Sequence, residues 1–167
     1  MNYLKQFVVP FSGLPEGEHW FDFKVETAFF DCFESSDILE ANVDLNLQFI
    51  KRSTMLELTF NFVGTIKVDC DRCLTPVEIP VKSSEKIYIK FSDEEYDDSE
   101  EILIIPHGES EVDIASLVYE MLFVAMPMKR VHEIGSCVEG IEDQISFEED
   151  DDEDDEIDPR WEQLKNL

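Results

Sequence analysis

Between Val43 and Phe91, apolar side chains recur at every second residue in three successive runs, and that period admits few folds. Val43, Leu45, Leu47 and Phe49 alternate with Asp44, Asn46 and Gln48. After a turn at Lys51 to Thr54, Leu56, Leu58, Phe60, Phe62, Ile66, Val68 and Cys70 share one parity. A third run carries Val77, Ile79, Val81, Ile87, Ile89 and Phe91. A period of two places one side of each run on a core. Runs joined by short turns predict an antiparallel meander with one buried face. Gly64, inside the middle run, predicts a bulge.

The flanks supply the other layer. Tyr3 to Val9 reads as a short strand closed by Pro10, and His19 to Val25 as a second strand with Trp20 and Phe21 in the core. Phe29, Phe30 and Phe33 have helical spacing in a segment short enough to be irregular, and Cys32 within it reads as a buried, inert thiol. Ile102 to Ile105 forms a short strand ended by Pro106. Ser110 to Asp113 offers an S-x-x-D capping box ahead of a helix whose apolar face is Ile114, Leu117, Val118, Met121, Leu122 and Ala125, stopped by Pro127. The expected fold class is α+β: an antiparallel meander or partly closed sheet packed by one main helix. At 167 residues the chain suits one domain, expected over residues 1–138.

Charge then limits partners. There are 13 basic against 40 acidic residues, a net of −27, and Glu148 to Glu156 is acidic without interruption. Such a surface repels phosphate, so the favoured charged partners are basic proteins or cations. Direct RNA binding would need a local basic patch from Lys5, Lys51, Arg52, Lys82, Lys86 and Lys90; Lys82, Lys86 and Lys90 share one face of a strand, which a solvated sheet face explains more simply. Residues 139–157 are expected to form a disordered acidic linker. Residues 158–167 follow as a terminal docking helix, with Asp158 as N-cap, Pro159 at the first helical position, and Trp161, Leu164 and Leu167 on one stripe. No secretory signal and no apolar stretch near the ~20 residues of a membrane span is read, so the expectation is cytoplasmic.

In a reducing compartment four cysteines argue for metal, redox chemistry or burial rather than disulfides. Cys70 and Cys73 form a C-x-x-C pair at a strand turn, and His132 and Cys137 form an H-x4-C pair. Together they could complete the four ligands of a structural zinc site. Reduced structural thiols and a redox pair are the other readings. The redox reading is the weakest: such thiols usually owe their acidity to a helix N-terminus, whereas here Asp71 adds negative charge between two strands. His19 reads as packed, His107 lacks a partner, and the carboxylates lie in solvated runs, so no enzyme and no small-molecule substrate are expected.

The order of these features resembles the YceD family, the large ribosomal RNA subunit accumulation proteins. Cys70, Arg72 and Cys73 match its C-x-R-C; Asp113, Ile114, Leu117, Val118 and Glu120 match its D-I-x-x-L-V-x-E. Pro127, Val131, His132 and Cys137 continue the pattern, and Asp158, Pro159, Leu164 and Leu167 end it. Arg130 stands where members often carry a second proline. The resemblance covers roughly Thr65 onward and implies a non-enzymatic role on which large-subunit ribosomal RNA accumulation depends. A large-subunit ribosomal protein or a precursor particle is then the expected partner. A zinc- or thiol-based C-x-x-C protein with a redox or metal-handling role is the alternative.

Overall fold

The computed structural model describes residues 3–33, 37–92, 102–106 and 108–137. A 3-10 helix, Tyr3–Phe7, leads into β1 (Val8–Pro10), β2 (Gly17–Glu26) and α1 (Thr27–Phe30). Three long strands follow, β3 (Ile38–Lys51), β4 (Met55–Asp69) and β5 (Pro76–Phe91). Then come β6 (Ile102–Ile105), β7 (Glu111–Asp113) and α2 (Ala115–Ala125). The main sheet has the order β2-β3-β4-β5-β6, and β1 pairs separately with β7. The architecture is the expected α+β. Its sheet is open and mixed, because β6 runs parallel to β5 while the other neighbours are antiparallel.

Period-two patterning fixes the core. Val43, Leu45, Leu47, Phe49, Leu56, Leu58, Phe60, Phe62, Ile66 and Val68 are all buried, with Val77, Ile79, Val81 and Ile89 beside them. Over this face lie Phe7, Phe29 and Phe30 together with Ile114 and with Ala115, Val118 and Leu122 of α2. An aromatic chain ties the covering layer together. Phe7 meets Phe29 at 4.7 Å between ring centroids, Phe29 meets Phe30 at 5.3 Å, and Phe33 stacks on Tyr119 of α2 at 4.1 Å.

Several expectations are corrected here. Tyr3–Phe7 is a 3-10 turn, which lets Phe7 drop into the core; the strand begins only at Val8. Trp20 is 53% exposed, because its parity on β2 is that of Lys24, on the outer face. Cys32 is exposed and its thiol donates to the Ala28 carbonyl at 3.3 Å, since the short helix buries Phe29 and Phe30 instead. Gly64 marks no bulge: its register with Val43 and Val81 is unbroken. A Cβ there would collide with the Asn42 carbonyl and the Val43 Cα, so glycine serves close backbone approach. The register shift lies at Ile38/Glu40. The capping box does not form either. Glu111–Asp113 is strand β7, and Asp113 Oδ1 accepts from the Ala115 N–H at 2.9 Å, capping α2 at shorter range. Pro127 ends that helix as expected, with Met126 extended ahead of it.

Candidate metal centre

β4 and β5 are one hairpin whose far turn is Cys70-Asp71-Arg72-Cys73. The Leu74 N–H donates to the Cys70 carbonyl and the Cys70 N–H to the Thr75 carbonyl, both at 2.9 Å. This tight closure puts both sulfurs on the core side. It also forces Leu74 to φ 55°, the left-handed region, at a cost of roughly 1–2 kcal/mol for a residue with a Cβ.

Asp71 recruits the second half of the site. Its N–H donates to the Arg130 carbonyl at 2.8 Å, its Oδ2 accepts from the Arg130 N–H at 2.7 Å, and the Arg130 guanidinium reaches Oδ1 at 3.5 Å. This clamp holds the segment after α2 against the turn and delivers His132. The His132 Nε2 lies 3.1 Å from the Pro76 carbonyl. A carbonyl can only accept, so Nε2 carries the proton and, in the neutral ring, Nδ1 keeps a free lone pair. That Nδ1 faces Cys73 Sγ at 3.4 Å and Cys137 Sγ at 3.9 Å.

The ligand atoms of Cys70, Cys73, His132 and Cys137 all lie within 4.8 Å of one another, close enough to hold one metal ion. Zn–S bonds of ~2.3 Å in a tetrahedron need sulfurs about 3.8 Å apart, so a small contraction would close the site. The backbone carbonyl on Nε2 is the outer support that metal-bound histidines ordinarily have.

The electrostatics of the four groups fit a cation. Burial opposes ionisation of Cys70 most strongly. N–H groups of Cys73, Arg72 and His132 outweigh it together and bring the thiol down to about 6. Cys73 is lowered chiefly by the Thr75 hydroxyl and N–H, against burial and Cys70. Cys137 is pushed up to about 11, by burial first and then by the two other thiols. The Cys70 thiol raises His132, against burial, with help from the Pro76 carbonyl. The third thiolate is therefore opposed by the first two, and a divalent cation removes that opposition. The sequence reading tied an acidic thiol to a helix N-terminus; here the turn's own N–H groups do the work.

The other candidates separate. Lys51 Nζ donates to the carbonyls of Leu14 at 2.8 Å and Phe11 at 2.9 Å. Arg52 and Lys86 both bind Glu57, which is buried beneath them. Three of the six cations named for an RNA patch are thus engaged internally. His19 donates to the Pro15 carbonyl at 2.9 Å, with no catalytic partner among the described residues. His107 and the tail positions Asp158, Pro159, Trp161, Leu164 and Leu167 lie outside the described residues, as do the linker and its boundaries. No helix among the described residues is long and apolar enough to cross a membrane. The outer anchor of the site, Asp71–Arg130, was missed in the sequence, because an acid between two cysteines reads first as an obstacle to thiolates.

A family model described as Large ribosomal RNA subunit accumulation protein YceD matches residues 58–167, about two thirds of the chain. No curated protein and no solved structure matches. The matched span contains all four residues of the cluster and begins within β4.

Proposed function

The chain belongs to the YceD family of large ribosomal RNA subunit accumulation proteins, and from that premise we propose that it is a non-enzymatic, cytoplasmic factor in large-subunit assembly. It binds a basic ribosomal protein or a precursor particle, and zinc held by Cys70, Cys73, His132 and Cys137 is a structural part of it. The observation that carries the assembly role is the family match over residues 58–167; the zinc rests on the convergence of those four ligand atoms, from segments 59 residues apart at the Asp71–Arg130 clamp. Closed burial supports a structural role over thiol turnover, since Cys70 is fully buried and Cys73 only 6% exposed.

The acidic run Glu148 to Glu156 supports a basic partner. It speeds encounter more than it deepens affinity, so replacing it with a Gly/Ser linker of equal length slows association and flattens its salt dependence. Trp161, Leu164 and Leu167, with Asp158 and Pro159 starting the segment, supply the apolar anchor of that contact.

The test is depletion in growing cells with gradient sedimentation. Large-subunit ribosomal RNA falls relative to small-subunit RNA, and tagged protein travels with large-subunit precursors. An unchanged RNA ratio with tagged protein remaining at the top of the gradient overturns the reading.

A further inference from the structure

Beside the C-x-x-C turn lies an open cleft of about 310 Å³ whose lining includes Asp37, Leu39, Asp69, Asp71, Leu74 and Arg130. Two of its lining side chains are large, apolar and exposed: Leu74 at 76% and Leu39 at 45%. Leu74 is also the one residue other than glycine with positive φ among the described residues. Glycine would fill that place in the turn without strain, and any polar side chain would be better solvated. A leucine that is both strained and exposed gains nothing for the fold where it stands. Such costs persist where the side chain serves something outside the fold.

The charge around the leucines selects the occupant. Asp71 is taken by Arg130. Asp37 and Asp69 form no ion pair among the described residues, so the cleft keeps a net negative lining. A nucleic-acid phosphate is repelled there, whereas a lysine or arginine is attracted. We propose that this cleft is the docking site for an extended basic protein segment with an apolar anchor, seated on Leu39 and Leu74 with its cations against Asp37 and Asp69. The inference rests on the assembly role above and names the chemistry of the partner's contacting segment.

The experiment uses the full chain loaded with zinc and a fluorescently labelled arginine-rich peptide with interspersed leucines. A version with serine for leucine and a labelled single-stranded RNA serve as comparison probes. Binding is expected for the leucine peptide, about tenfold weaker for its serine version, and absent for RNA. Leu74→Gly is expected to keep metal content and melt at the same or a higher temperature, while weakening the leucine peptide about tenfold. Asp69→Asn weakens it severalfold and reduces its salt dependence. Equal binding of the two peptides, or unchanged binding by Leu74→Gly, overturns the proposal and leaves basic peptides to the acidic run. Preferred binding of RNA overturns it also. Sedimentation separates the two readings. If Leu74→Gly travels with precursors as well as the unaltered chain, the cleft proposal fails and the assembly role stands. If the unaltered chain does not travel with them, the assembly role fails, and the peptide assay still decides the cleft.

Discussion

The two ends of β4 each bury a cluster of ionisable groups, and the clusters solve the same problem differently. Near its start, the Glu57 carboxylate is covered by Arg52 and by Lys86, the latter at 2.9 Å. One anion faces two cations, and the cluster is complete within the chain. Just past its end, three thiols share a single imidazole. Full ionisation of the thiols would leave that cluster two charges short of neutral with His132 protonated, and three short with it neutral. The contrast is between a buried anion balanced by the chain's own side chains and a thiol cluster whose full ionisation a bound cation would balance.

The largest test of this contrast is removal of a thiol. Cys70→Ser is expected to take zinc content from about one per chain to none and to lower the melting temperature by roughly 10 °C. Metal analysis and calorimetry, with and without chelator, check both. A metal-free chain whose melting ignores chelator would make the two ends alike.

Gly64 stands between the clusters and keeps their register. Gly64→Ala would drive a methyl into the Asn42 carbonyl and is expected to cost about 3 kcal/mol in denaturant unfolding. Zinc stoichiometry should survive, since the C-x-x-C turn and the Asp71–Arg130 clamp lie beyond the distorted rung.

Smaller again is Glu57→Gln, expected to cost about 1 kcal/mol because both cations are half exposed. Its signature is in pH. Lys86 and then Arg52 hold the Glu57 carboxyl below its ordinary 4.5, against burial. A lowered folded value means stability that is fully present above 4.5 and lost as pH falls through the folded value. The variant should therefore show a shallower loss of stability below that pH than the unaltered chain. Parallel acid-unfolding curves would remove Glu57 from the comparison.

The three long strands were legible because period two is a direct consequence of one buried face. The spacing alone also singled out Cys70, Cys73, His132 and Cys137, which the fold brings close enough to hold a metal ion. What sequence could not show is which of two adjacent aromatics on one strand faces the core: Trp20 and Phe21 both suit it, and β2 turns Trp20 out. Nor could it distinguish Gly64 as a bulge from Gly64 as a close approach, since both ask for the absence of a Cβ. The parallel pairing of β6 was hidden because a four-residue apolar run has no direction. Asp113 was found as a helix-start residue but given the wrong partner, since β7 claims the residues the capping box needed.

The Asp71–Arg130 clamp has a consequence for the order of events. Its hydrogen bonds join backbone to backbone and to carboxylate without calling on any ligand atom. Closing a loop of this length is the entropically expensive part of assembling a site from distant segments. The clamp meets that cost with bonds that use none of the four candidate ligand atoms. Binding of an ion by Cys70, Cys73, His132 and Cys137 would then be a step separable from closing the loop. Chelation should accordingly leave a chain that recovers its metal on mixing rates rather than on folding rates.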